Sequence, residues 1–323
     1  MNKGLESAGS AERTKIGSTG TALLLSVLPF NLNGIPMTAA EHFLKAGNRL
    51  GEGPLWQEQE QALYWVDIEG ECFHRYIPYI DQHETYQVGQ PIGCLAFRAG
   101  GGLVMALRDG LGFWDWDTHQ VTIITNPEAG REGARFNDGR VDSRGRLWAG
   151  TLGDDQGSSL YRLDPDGSLN QMETGVMISN GLGWSPDDSI MYYTDSPRRV
   201  IYAYDFDAES GSIHNRRYFA QVPADNGVPD GLAVDSQGFV WSAHWDGWRI
   251  TRYDPEGKIE RVISLPVQRP TSCAFGGPEL KHLFITSAWS GLEAAGRREQ
   301  PLAGDLFLLE TDFPGQPEYK FAG

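Results

Sequence analysis

The segment NDGRVDSRGRLW at residues 137–148 returns as DGLAVDSQGFVW at residues 230–241, aligned without a gap so that V-D-S, Gly and Trp coincide. Four further segments share the outline of a polar or glycine-rich start running into an apolar strand: PLWQEQEQALYWVD, LAFRAGGGLVMAL, LGWSPDDSIMYYTD and CAFGGPELKHLFITS. The large apolar anchor of each segment, Trp56, Phe97, Val141, Trp184, Val234 and Phe275, recurs at intervals of 41, 44, 43, 50 and 41 residues. Between anchors the chain alternates apolar and polar residues and then reverses, most clearly in SLYRLDPDGS and WRITRYDPEGK. A period in the low forties with strand–turn units is the signature of a propeller blade.

The reading is therefore all-β: a six-bladed β-propeller over residues 37–323, with the repeats filling residues 50–312. One twisted sheet cannot bury both its faces, whereas a ring of sheets packs face to face around an axis. The 10 Trp, 12 Tyr and 14 Phe supply aromatic surface for those faces, and the 40 Gly and 18 Pro suit many tight reversals. Either His42–Ala46 or the tail YKFAG is expected to add the strand that closes the ring.

Residues 1–36 are expected to be a disordered or non-native N-terminal extension. The run ALLLSVLPF at 22–30 imitates a signal peptide, but Glu6 and Glu12 lie in the would-be basic region and no A-x-A site follows. A cytoplasmic protein is expected. Cys72, Cys94 and Cys273 accord with that: they are far apart, odd in number and lack C-x-x-C spacing. The formal charge of −16 disfavours nucleic acid and anionic membranes as partners. A monomer or small homo-oligomer is expected.

The repeat permits a test that no single motif would. Four residues before each anchor stand Glu52, Gly93, Asn137, Asn180, Asp230 and Thr271. In a propeller these positions share one height and radius, so their side chains converge on the axis. Two carboxylates and two carboxamides meeting there would repel and be poorly solvated without a cation. An oxygen-only set suits one divalent ion, Ca2+, Mg2+ or Mn2+, with Zn2+ and Fe2+ as further choices. The competing reading is that N-D-G, S-N-G and P-D-G are turn tripeptides. Glu52 argues against it, because Glu is not a favoured turn residue.

L-G-E-G-P-L-W, R-F-N-D-G-R-V-D, I-S-N-G-L-G-W-S-P-D, V-P-D-G-L-A-V-D and T-S-C-A-F-G-G-P, in this order over residues 50–312, resemble the successive signatures of the gluconolactonase / senescence marker protein / luciferin-regenerating enzyme family. The resemblance implies a propeller with one divalent metal in its central channel and hydrolysis of a sugar lactone to the aldonic acid. It implies metal ligands at Glu52, Asn180 and Asp230, with Asn137 close to the ion or substrate and Arg135 on the sugar. In T-L-G-D-D-Q-G-S-S, a Gly-rich loop after the inner strand of blade three, Asp155 stands where some relatives place a substrate-contacting Glu.

Lactone hydrolysis needs a polarised carbonyl and an activated water; a cation supplies the first, and Asp230 or metal-bound hydroxide the second. Arg135 would hold hydroxyls or the ring oxygen, its alternative being a surface pair with Glu132. His244 reads as a core histidine, and no G-x-S-x-G elbow accompanies Ser272 or Cys273. The alternatives in function are a metal-dependent phosphotriesterase and a non-catalytic interaction scaffold.

Overall fold

The computed structural model describes residues 37–153 and 157–323. The extension expected at residues 1–36, and Asp155, lie outside the described residues. Six antiparallel sheets follow one another along the chain as the blades of a propeller. Their innermost strands are Gly51–Gln57, Ile92–Phe97, Arg135–Val141, Ser179–Trp184, Val228–Val234 and Pro270–Gly276.

Burial falls from axis to rim. Blade one shows the gradient: Gly51–Gln57 and Ala62–Asp67 are almost wholly buried, whereas the outer strand Gln82–Gln87 is mostly exposed. Aromatic side chains fill the faces between blades. Trp148 of blade three meets Trp184 and Phe206 of blade four edge-on, with centroids 6.0 Å away in each case.

The ring is closed by the N-terminal alternative. Glu41–Leu44 pairs antiparallel with Leu306–Glu310 as the outer strand of blade six, and Met37–Ala39 adds a fifth, parallel strand to blade five. The C-terminal tail has a different task. It crosses the underside, where Ser236 N–H donates to Pro314 O at 3.0 Å, Gln316 Nε2 to Trp184 O at 2.9 Å and Phe321 N–H to Phe97 O at 2.8 Å. Phe321 is buried in the core between blades two and three.

The repeated phrase V-D-S-x-G-x-x-W is one structural unit. Asp142 and Asp235, both 0% exposed, each accept two backbone N–H groups of the following turn and the indole N–H of a Trp six residues on. Gly145 and Gly238 sit in that turn at φ 76° and 84°, the left-handed region where a Cβ is costly. An Arg completes each unit: Arg146 on Asp142 at 2.6 Å and Arg252 on Asp235 at 2.7 Å. Because the phrase includes this turn, whatever follows its Trp is second strand. Leu152, ahead of the Gly-rich loop, therefore ends the second strand of blade three rather than the inner one, and His244 belongs to the second strand of blade five.

Candidate metal centre

All six inner strands carry an irregularity at the same place. One residue more is spent on the inner strand than on its partner, between Glu52 and Leu55, Ile92 and Cys94, Phe136 and Gly139, Ser179 and Leu182, Pro229 and Leu232, and Pro270 and Cys273. A bulge bends a strand and re-aims its side chains. Here it falls on the register shared by Glu52, Asn137, Asn180 and Asp230, which line the floor of one cavity of about 390 Å3 together with Arg135.

The tripeptides N-D-G, S-N-G and P-D-G are consequently strand segments and not reversals. Gly139, Gly181 and Gly231 have no positive φ; what they provide is room. A Cβ on Gly181 would stand 2.5 Å from Leu232 N, and one on Gly231 would collide with Ser272, both on the next inner strand. The two remaining register positions also serve packing. Gly93 admits the backbone of Asn137, and Thr271 donates its hydroxyl to Gly51 O, joining blade six to blade one.

Four polar side chains form a chain of hydrogen bonds across the floor. Arg135 Nη1 donates to Asn137 Oδ1 at 2.7 Å, Asn137 Nδ2 to Asn180 Oδ1 at 2.7 Å, and Asn180 Nδ2 to Ser196 Oγ at 2.7 Å. Arg135 therefore turns inward to the ring, and not outward to Glu132. Each carboxamide oxygen accepts one of these bonds and keeps a second lone pair.

The carboxylates are less well provided for. Glu52, 6% exposed, accepts from its neighbour's Gly53 N–H at 3.0 Å. Burial, then the negative charges of Asp230 and Asp138, push Glu52 well above the usual carboxylate range. Burial and Asp138 push Asp230 the same way, against a lowering contribution from Gly231 N–H. Burial draws Arg135 down to about 10 while Glu52 pushes it back, so the guanidinium stays charged at neutral pH. Two buried carboxylates that repel each other, with two carboxamide oxygens in the same ring, suit a hard divalent cation.

Asp138 escaped the register argument. Strand alternation assigns it to the face opposite Asn137, but the bulge leaves it beneath the ring, in a narrow space with Gly53, Cys94, Ser272 and Glu318 of the tail. Burial lifts it to about 6, and Arg140 opposes the shift. His244 is 1% exposed, with Nδ1 at 2.8 Å from Asn226 O and Nε2 at 3.4 Å from the Tyr253 hydroxyl. Burial holds it near 4, so it is neutral at physiological pH. Cys72, Cys94 and Cys273 are buried free thiols.

A sequence profile for the SMP-30/Gluconolactonase/LRE-like region matches residues 50–289. A 6-deoxy-6-sulfogluconolactonase of Pseudomonas putida is 40% identical over 85% of this chain and 95% of its own length. Regucalcin of Danio rerio is 37% identical over 88% and 98%. Among solved structures, a calcium-binding regucalcin from Agrobacterium tumefaciens superposes with a TM-score of 0.85 at 25% identity, over 89% of this chain and 99% of that one.

Proposed function

The chain belongs to the SMP-30/Gluconolactonase/LRE-like family, and from that membership we propose that it hydrolyses a sugar lactone to the aldonic acid with the help of one divalent cation. The observation that carries the reading is the set of two buried carboxylates and two carboxamides at one register of four inner strands, on the floor of a cavity that also holds Arg135. A scaffold propeller has no use for such a set.

Glu52, Asn180 and Asp230 would hold the ion, with Asn137 beside it. When bound, the ion supplies Lewis acidity toward the ester carbonyl. Asp230 takes the proton from the attacking water as its oxygen bonds to the carbonyl carbon. The ring C–O bond then breaks and the leaving alkoxide recovers a proton, giving the open hydroxy acid. Burial and Asp138 keep the proton affinity of Asp230 high, in the sense a general base needs. Arg135, fixed by its bond to Asn137, directs its remaining donors at substrate oxygens. Asp155 stands three residues after Leu152 of the cavity wall in the sequence, and a substrate contact from it belongs to this proposal. A relative's description as calcium-binding makes Ca2+ the first ion to test. The unpaired thiols accord with the cytoplasmic location proposed here.

The test is turnover of a panel of aldonolactones and an organophosphate triester, after chelation and after adding back Ca2+, Mg2+, Mn2+ or Zn2+. Metal-dependent opening of a lactone is expected. Failure on every lactone with every ion overturns the reading, and turnover of the triester alone would assign the site to phosphotriester hydrolysis.

A further inference from the structure

The register that builds the metal ring also fixes what lies beneath it. In blades three to six the bulge sets the register residue and the one after it opposite a single residue of the second strand. The residues one past the register are Gly53, Cys94, Asp138, Gly181, Gly231 and Ser272. Those three past it are Leu55, Ala96, Arg140, Gly183, Ala233 and Ala274. Of these twelve, Asp138 and Arg140 alone bear a formal charge, and both come from blade three. The others are mostly glycine and alanine, which leaves the two charged side chains room under the ring.

Asp138 and Arg140 line the narrow chamber beneath the ring together with Glu318 and Tyr319 of the C-terminal tail. Arg140 Nη2 stands 3.5 Å from Glu318 Oε1, and both side chains are largely buried. The tail is pinned on either side of Glu318, by the bond from Gln316 Nε2 to Trp184 O and that from Phe321 N–H to Phe97 O. Asp138 accepts from Gly139 N–H at 2.7 Å, and among the described residues it has no ion-pair partner, because Arg140 is turned to Glu318. These charges nevertheless feel one another. After burial, Asp138 is the charge that pushes Asp230 upward and, behind Asp230, one that pushes Glu52; Arg140 draws Asp138 down and Glu318 raises it.

From the ring to the tail the signs therefore alternate: the place for a cation, then Asp138, Arg140 and Glu318. With Glu52, Asp230 and Arg135 of the ring, the set comprises four carboxylates and two guanidiniums. The two negative charges left over match one divalent ion. A buried carboxylate without a contact partner is costly to the metal-free protein, and a dication above it offsets that cost.

We propose, resting on the cation reading above, that Asp138, Arg140 and Glu318 form an electrostatic column under the metal ring that sets how tightly the ion is held. None of the three is a ligand. Asp138 attracts the ion, Arg140 opposes it, and Glu318 neutralises Arg140 and so restores part of the affinity. The C-terminal tail thereby acts on the metal site from the side opposite the substrate cavity.

The experiment is calorimetric titration of the chelated full chain with Ca2+ at pH 8, each variant being checked for folding by its Tm. Asp138→Asn should weaken binding about ten-fold or more, as removal of an outer-shell partner does. Glu318→Gln should weaken it, and Arg140→Gln should tighten it, each by about three-fold or more. The alternation of sign is the decisive readout, since damage to packing would weaken all three. Arg140→Lys keeps the charge and should bind as the wild type does. Because the Coulomb energy scales with the charge of the ion, Asp138→Asn should lose more affinity for Tb3+ than for Ca2+. Weaker or unchanged binding in folded Arg140→Gln overturns the proposal, as does wild-type affinity in Asp138→Asn or Glu318→Gln. Should Arg140→Gln not fold, Glu318→Gln and Glu318→Lys decide: binding must weaken in that order, and wild-type affinity in both overturns the proposal. A folded wild type that binds neither ion refutes the cation reading itself, a different result from a column whose signs do not alternate.

Discussion

Asn137 reaches across the boundary between blades three and four and donates from Nδ2 to Oδ1 of Asn180 at 2.7 Å. With Arg135 donating to Asn137 and Asn180 donating to Ser196, the direction of every bond in the row is set, and so is the position of both carboxamide oxygens. Asn137→Asp keeps the shape but removes the donor. It sets a carboxylate against Asn180 Oδ1 and adds a third negative charge to the floor. Without metal, the variant should lose about 1–3 kcal/mol of stability, the cost of an unmet buried acceptor. With saturating Ca2+ most of the loss should return, because the added charge favours a bound cation. Urea unfolding midpoints with and without Ca2+ measure both, and a loss that Ca2+ leaves untouched would show that Asn137 has no part in ion binding.

Asp230 and Glu52 offer a matched pair for separating base from ligand. Both are buried carboxylates pushed upward by burial and then by neighbouring negative charge, that of Asp230 and Asp138 on Glu52 and that of Asp138 on Asp230, so Asp230→Asn and Glu52→Gln remove the same charge from the same ring. At saturating cation, with occupancy verified by calorimetry, kcat should fall about 10²–10⁴-fold in Asp230→Asn, the usual contribution of general-base catalysis. Glu52→Gln should raise the cation concentration required while keeping kcat within about ten-fold of wild type once the site is full. Equal losses of kcat in the two would remove the proton-transfer role from Asp230.

Much of this architecture is legible in the letters. The anchors at Trp56 through Phe275 give the blade number, and the offset of four gives Glu52, Asn137, Asn180 and Asp230, because strand geometry makes equal spacing mean equal place. Asp138 was not legible. A strict period of two points it away from the channel, and only the bulge, a backbone irregularity with no residue signature of its own, brings it beneath the ring. The glycines misled in the opposite direction. Gly181 and Gly231 look like turn residues, whereas the cause is the close approach of neighbouring inner strands, Gly181 to Leu232 and Gly231 to Ser272, a relation between blades distant in sequence. The tail's path from Pro314 to Phe321 was hidden for a similar reason, since its partners Ser236, Trp184 and Phe97 lie in three different blades.

The buried carboxylates give the metal-free protein a characteristic pH dependence. Asp138 titrates at about 6 in the folded state, against about 4 in an unfolded chain. Between those values the folded protein holds a proton that the unfolded chain has released, so stability is greatest below the unfolded value and falls as pH rises through the window. Glu52 and Asp230, shifted in the same direction, add to the fall. The difference in Tm between Asp138→Asn and wild type, both chelated, should therefore grow in favour of the variant from pH 4 to pH 7. Added Ca2+ should raise the wild-type Tm more at pH 7 than at pH 5, since protons compete for the same oxygens. A Tm difference independent of pH would place Asp138 in a solvated setting.

Asp235 tests what the repeated phrase is for. Its carboxylate is fully buried and accepts from Gln237 N–H, Phe239 N–H, Trp241 Nε1 and both Nε and Nη2 of Arg252. Arg252 is itself 1% exposed, layered between Phe239 at 3.7 Å and Phe313 at 4.2 Å. Asp235→Ala leaves a buried guanidinium with Glu260 and Gln237 as its remaining side-chain acceptors and strands the indole N–H, so it should cost about 3–5 kcal/mol in urea unfolding. Asp235→Asn can still accept from the turn and should recover part of that. Asp142→Ala repeats the loss in blade three around Arg146 and Trp148, and the double variant should show the sum of the two, because the units share no partner. A cost under about 1 kcal/mol for Asp235→Ala would mean that the phrase recurs for its turn and its Trp alone, with the ion pair adding nothing to the stability of the blade.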